Sequence, residues 1–272
     1  MNKNDIFFSV FALVALVLFS GCGESSVSKL EEAKIALDNK DFSKAIALTE
    51  ELLDVNGDGV FNDQDNLTAN DAEAAHLSTS ARFGRAGIDL TGMLDLAEKN
   101  TGTTKPSSFA SSEKTVLCIA DADFKKISDL IPVILVQQHL TDLDIGIKIV
   151  DTVISRGLIS NLDKRKQENL LKAIGNAARI VVAIIVATDT NRDNKPDSVP
   201  SGTALTALAE KVEASFVHTL SGLADSGIVS NSKLLAAINI LKNNITTGSG
   251  STIVTGSNLD PYLKALVNQC LI

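Results

Sequence analysis

Tryptophan is absent from this chain of 272 residues, tyrosine occurs once, at Tyr262, and aromatic residues together make up 4%. Recognition by stacking bases or sugars on aromatic platforms is therefore not expected. A basic surplus is missing too. The 25 Lys and Arg residues face 33 Asp and Glu, a formal net charge of -8, which argues against a nucleic-acid partner. There are three histidines, His76, His139 and His218, and none has a metal-spaced partner such as His-x-x-x-His. Each is expected to be a partly buried or surface residue. No nucleophile elbow, phosphate-binding glycine loop or zinc-ligand spacing occurs. Three Ser-x-x-Lys strings, at Ser26, Ser111 and Ser230, lie in or beside polar segments and lack the companion motifs of acyl-enzymes. The acid pairs Asp121/Asp123 and Asp142/Asp144 are spaced by two, so on a helix they do not face one another, and solvated faces are expected. No catalytic centre is legible, and the chain is expected not to be an enzyme.

Cysteine is scarce, with three residues, and the first of them closes the N-terminal segment. Ile6 to Phe19 run apolar except for Ser9, behind Lys3 and the amino terminus. That is shorter than the ~20 residues of a membrane-spanning helix and fits a signal peptide. The segment Leu18-Phe19-Ser20-Gly21-Cys22 resembles the lipobox of bacterial lipoproteins. The resemblance implies cleavage before Cys22, acyl chains on that thiol, and a membrane anchor made of them. Gly23 after the cysteine favours, by the same analogy, the outer membrane and its periplasmic or surface face. Residues 1–21 are then the signal peptide, 22–29 a tether, and 30–272 the exported part. In an oxidising compartment the remaining cysteines, Cys118 and Cys270, are a disulfide candidate, with two buried free thiols as the alternative.

The exported part is rich in Ala, Leu, Ile and Val and shows no long alternating strand pattern, which predicts an all-α fold. Helical periodicity is expected over 30–53 with a break at Asn39-Lys40-Asp41, and again over 72–99. It resumes at 113–138 with a kink at Pro132, and continues at 141–157, 163–188, 203–224, 230–245 and 259–271. The apolar stretch Ile180–Ala187 is too short to span a bilayer and reads as a buried central helix. Gly/Ser/Thr/Pro-rich connections fall at 100–112 and 246–257. The stretch from Ala33 to Leu53 resembles a tetratricopeptide repeat, carried by Asp41-Phe42-Ser43-Lys44-Ala45-Ile46, with Ala45 as the small residue where two helices cross. A weaker second copy over Ala72–Lys99 sets Ala86-Gly87-Ile88 against Lys44-Ala45-Ile46. The likeness implies antiparallel helix pairs packed as one helical domain, with 30–100 as its repeat-like part and 113–272 as its remainder.

Two polar loops carry the clearest chemistry. Calcium takes six to eight hard oxygens, and a twelve-residue loop supplies them from positions 1, 3, 5, 7, 9 and 12. In the segment 54–65 those positions are Asp54, Asn56, Asp58, the Val60 carbonyl, Asn62 and Asp65, with Gly59 at the sharp turn. This loop closely resembles those of dockerin-type EF-hands, which also end on Asp. A second loop, 189–200, offers Asp189, Asn191, Asp193, the Lys195 carbonyl and Asp197. Asn194 replaces the turn glycine, and Pro200 stands in the last slot. It resembles EF-hand-like loops of extracellular calcium proteins. An ion-free Asp/Asn/Gly connector is the alternative at both loops.

Together these features predict a lipid-anchored helical module of the bacterial envelope that binds Ca2+ and docks a protein partner. Two other classes stay open: an envelope hydrolase whose site is assembled from distant residues, and a lipoprotein that binds a small ligand.

Overall fold

The computed structural model describes residues 26–54, 61, 65–88, 137–192, 196–227, 233–246 and 251–270. Among the described residues the regular structure is helical, with no strand, so the fold is all-α. The helices are α1 (Ser26–Asp38), α2 (Phe42–Leu53), α3 (Ala72–Arg85, entered through a 3₁₀ turn at Ala69–Asp71), α4 (Gln137–Ser155), α5 (Leu162–Thr188), α6 (Gly202–Asp225), α7 (Lys233–Thr246) and α8 (Gly256–Cys270).

Local sequence explains most of the boundaries. α1 stops where Lys40 takes a left-handed conformation, φ 59°, and the amides of Lys40 and Asp41 turn back to the carbonyls of Leu37 and Ala36. Asp41 then caps α2 by accepting the Lys44 amide at 3.2 Å. At the start of α3 the Thr68 and Asp71 side chains each satisfy a backbone amide of the other's end, a reciprocal capping box. Asn161 caps α5 by accepting the amides of Asp163 and Lys164. Gly157, at φ 64°, ends α4 with the same closing pattern as Lys40, and there the missing Cβ makes the left-handed turn inexpensive.

Three boundaries depart from the sequence reading. α1 begins at Ser26, inside the segment expected to be a tether. α4 runs unbroken through residues 139 and 140, where a gap between two helices was expected; Thr141 bonds back to the Gln137 carbonyl and Gln138 reaches Asp142, which close that first turn. Ala86-Gly87 does not match Lys44-Ala45 structurally. Ala45 lies buried inside α2, whereas Gly87, at φ 76°, ends α3 and its amide returns to the Gly84 carbonyl. Most of the expected helix over 113–138 lies outside the described residues.

The first six helices pack as an antiparallel array in chain order. Cross-helix ion pairs fix the direction of successive helices: Lys29–Glu51 between the outer ends of α1 and α2, Arg85–Asp142 between α3 and α4, and Lys172–Asp151 with Arg179–Asp144 between α4 and α5. Alternate helices also touch. Lys34 of α1 reaches Glu73 of α3, His76 of α3 meets Glu168 of α5, and Lys211 of α6 meets Asp144 of α4. Small residues let the first three helices approach, with Ala36, Ala45 and Ala81 joining Ile46 in one cluster. α7 and α8 close the far end, placing Leu234, Ile238, Leu241, Leu259 and Leu263 in the main core.

α5 is the centre of that core. From Ala173 to Ile185 all of its side chains but Arg179 are buried. It is also the one helix among the described residues long and apolar enough to cross a bilayer, with mean hydropathy 1.9 in its most apolar window, and most of that window is covered by protein. Around it, Phe83 of α3 is fully buried with Gly146 of α4 and Gly175 of α5 against its ring. A Cβ at Gly146 would lie 2.7 Å from Phe83 Cε1, and one at Gly175 would overlap the same ring. Interior packing leaves little slack for such atoms.

The core also contains charge. Asp142 is completely buried and accepts both Nε and Nη2 of Arg85, at 2.8 and 2.6 Å, and the Gln138 amide at 3.1 Å. Arg82, 2% exposed, lies beside it at 3.8 Å and pairs on its other side with Glu50 of α2. Asp144 meanwhile turns to α5 and α6. The two carboxylates thus serve different helices and not the solvated faces expected, because their spacing of two directs them to opposite sides of α4.

Gly175→Ala tests the packing around Phe83. Alanine raises intrinsic helix stability by ~1 kcal/mol over glycine, while overpacking costs ~1–3 kcal/mol. A net loss is expected in urea unfolding, partly recovered by adding Phe83→Leu; an alanine variant as stable as the parent would contradict the close fit.

Candidate functional site

The first acidic loop leaves α2 at its C-terminal end. Asp54, half-buried, caps that end, its amide donating to the Glu50 carbonyl at 2.8 Å. Asp65, the last of the twelve positions, is completely buried. Its carbonyl accepts Nη1 of Arg156 at 2.8 Å, which ties the end of the loop to the turn after α4. Between them Phe61 is buried in a cluster with Leu53, Leu67, Ala75, Ile149 and Val153. Sequence reading passed over Phe61; the signal was a lone large apolar side chain in a run of Asp, Asn and Gly. The helix expected over 72–99 begins at Ala72, reached through a turn in which the Leu67 amide donates to the Asp65 carbonyl at 3.0 Å and then the 3₁₀ turn capped by Thr68. Asn56, Asp58, Val60 and Asn62 lie outside the described residues.

The second loop follows α5. Thr188 holds its neck: the amides of Asp197 and Ser198 both donate to the Thr188 carbonyl, at 2.8 and 3.0 Å. The Asp197 carboxylate accepts the Thr190 hydroxyl at 2.7 Å and the amides of Thr190 and Asn191, both at 3.1 Å. The Thr190 hydroxyl bond first, then these amides, holds Asp197 below its ordinary value of 3.8, since all three stabilise the ionised form. Asp189 is nearly buried, and Asp193 and Lys195 lie outside the described residues. Asp197 therefore ties the end of the loop back to its start.

Among the described residues no group of three or more His, Cys, Asp or Glu forms a metal cluster. Four of the six slots of the first loop and two of the five of the second are not among those residues. Cys22 and Cys118 lie outside them as well, and Cys270 ends α8 with its side chain likewise outside.

A cleft of about 490 Å³ opens between α4, α5 and α6, lined by Asp144, Lys148, Asp151, Arg179 and His218 around Ile147. Asp144 carries two cations, Arg179 at 2.6 Å and Lys211 at 2.8 Å, and Asp151 pairs with Lys172. A small-ligand site would call on the apolar stretches 127–136 and 180–187 as its lining. The first lies outside the described residues, and the second is packed into the core.

His76 makes a separate contact. Its Nδ1 lies 2.6 Å from Oε1 of Glu168, which is nearly buried on α5. That hydrogen bond raises the His76 pKa above 6.5. Loss of solvation opposes the rise, and the charges of Glu168 and Glu73 add to it.

Comparisons with protein-family models, with curated proteins and with solved structures found no match for the chain.

The His76 contact gives a pH dependence of defined sign. A histidine with a raised folded-state pKa adds stability in full below its unfolded value near 6.5, and loses it as pH rises through the folded value. Urea midpoints at pH 5.5 and pH 8.5 should therefore differ more in the parent than in His76→Asn. The same pH difference in both proteins would remove the pair as its source.

Proposed function

We propose that the chain is a lipid-anchored helical interaction module of the bacterial cell envelope, in which calcium at the loop 54–65 fastens the start of the array to α4. The signal segment 1–21 and acylation of Cys22 provide the anchor, in the outer membrane by the lipobox analogy. The repeat-like pairing of α1 and α2 supplies the frame for a protein partner.

The observation that carries the reading is the way the described part of the loop is held. Its first carboxylate stands at the end of α2, its eighth residue, Phe61, is sunk in the core, and its last carboxylate, Asp65, is wholly buried. Asp54, Asn56, Asp58, the Val60 carbonyl, Asn62 and Asp65 present the hard oxygens that suit Ca2+. A bound ion would neutralise the clustered acids and order the backbone between α2 and α3. The second loop, already stapled by Asp197, takes the ion more weakly in this reading. With Pro200 in its last slot it offers five oxygen-bearing positions against six, though each loop has three carboxylates among those positions.

Extracellular calcium modules bind with Kd of ~10⁻⁴–10⁻³ M. At ten times Kd the ion adds ~1.4 kcal/mol, or roughly 3–5 °C in Tm for a domain of this size. The parent should melt higher in millimolar calcium than with chelator. Asp54→Ala and Asp65→Ala should shrink that difference more than Asp189→Ala does. Superimposable melting curves with calcium and with chelator would refute the reading, and a larger loss in Asp189→Ala would reverse the ranking of the loops.

A further inference from the structure

We infer that the first residues of α5, with the turn that joins it to α4, form a surface that rests on a bilayer of anionic lipid, Leu162 entering the headgroup layer and Lys164, Arg165 and Lys166 meeting its phosphates. The inference deepens the proposed function and rests on its lipid anchor for the presence of the bilayer.

The sequence here runs against the pattern of the chain. In a protein of net charge -8, α5 opens on Leu162, Asp163, Lys164, Arg165 and Lys166. The positive end of a helix dipole favours acids in its first turn, so three consecutive cations there work against the fold. Residues 160–167 are all exposed, and Leu162, at 64%, is the most exposed large apolar side chain among the described residues. The cations are little engaged by the protein. The Lys164 ammonium has no hydrogen bond or ion pair among the described residues. Lys166 stands 3.8 Å from Asp163 in an exposed pair, which is weak. Arg165 donates Nη2 to the Ile159 carbonyl at 3.0 Å and keeps other N–H groups of its fork outward. The exposed acids nearby have lysines of their own, Glu51 with Lys29 and Glu73 with Lys34, and Asp71 accepts the Thr68 amide and hydroxyl.

This surface stands at the end of the array where the chain enters it. Leu30 of α1 packs in one cluster with Leu158 and Ile159 of the turn between α4 and α5. Cys22 precedes Ser26, the first residue of α1, by four positions, a reach of at most ~14 Å. Acyl chains on Cys22 would therefore hold this end against the bilayer, and not the opposite one. Cations drawn to the negative potential of the lipid surface, beside a leucine that leaves water, are the combination that binds there. The acids of the loop 54–65 leave the same end of α2, and calcium would neutralise them in the proposed reading. The lysines must therefore be separated from the ion in the test.

The absence of tryptophan makes the test direct. The full chain carrying Leu162→Trp is reconstituted into mixed phosphatidylglycerol and phosphatidylcholine vesicles whose acyl chains are brominated to quench indole emission. Acyl chains or the apolar N-terminal segment hold the protein there in either case. The mass of the Cys22 peptide reports the lipid anchor separately, so the two readings fail distinguishably. The control is Ile253→Trp, an exposed site near the start of α6 at the other end of the array. Quenching at 162 should exceed that at 253 by about threefold or more, with calcium and with chelator. It should fall about threefold in phosphatidylcholine alone, and equally when Lys164→Gln and Lys166→Gln are added. Equal quenching at the two sites, or undiminished quenching at 162 in phosphatidylcholine, would overturn the assignment. So would quenching that survives loss of both lysines and vanishes with chelator, which makes calcium the bridge. A blue shift that grows with protein concentration without lipid quenching would overturn it too, by marking a contact with a second copy.

Discussion

Everything in this fold is arranged around one helix that water cannot be allowed to reach. α5 presents Ile174, Ile180, Val181, Val182, Ile184 and Ile185 within twelve residues, and all are buried. Burial of each such side chain is worth ~2 kcal/mol, so together they are on the order of 10 kcal/mol, comparable to the whole net stability of a domain. A helix apolar on every side needs cover on every side. α3, α4 and α6 provide it along the length of α5, while α7 and α8 complete the core at the far end. The glycines that admit Phe83 set how near α3 and α4 can come.

Charge is then fitted to that packing. The Asp142 carboxylate lies where no water reaches, and it persists because Arg85 grips it with two donors and Gln138 with a third. Burial pulls Arg82 below its ordinary value, and Glu50 and Asp142 partly restore it. Removing one partner of such a cluster costs ~3–5 kcal/mol, far more than losing an exposed pair such as Lys34–Glu31. The polar cluster therefore fixes the alignment of α2, α3 and α4. The pairs at Asp144 and Asp151, nearer the surface, fix α4 against α5 and α6 and line the cleft between them.

Much of the frame is legible in the sequence because it rests on local patterns. The ends of α5 and α6 follow from Asn161, from the polar run after Thr188 and from the periodicity between them. The crossing at Ala45 follows from a small residue in an apolar stripe. The matching of Gly87 to Ala45 misled, since the same Ala-Gly pair also ends a helix, and only the backbone angle separates the two uses. The partners of Asp142 were not legible, because Arg82 and Arg85 lie more than fifty residues away and no local period links them. The cleft, built from three helices, was invisible for the same reason. In the loops, spacing suggested which residues carry oxygens, whereas the anchoring by Phe61 and Arg156 depends on contacts with α4 that spacing does not encode.

The described helices pack as one array with α5 in its interior. Amide hydrogen exchange on the chain in lipid-free solution, after removal of the N-terminal segment by proteolysis, tests this most directly. The amides from Ile174 to Ile185 should be the slowest in the molecule and should open only with global unfolding. Rapid exchange there, or protection that appears only when lipid or detergent is added, would mean that α5 seeks a bilayer and not its neighbouring helices.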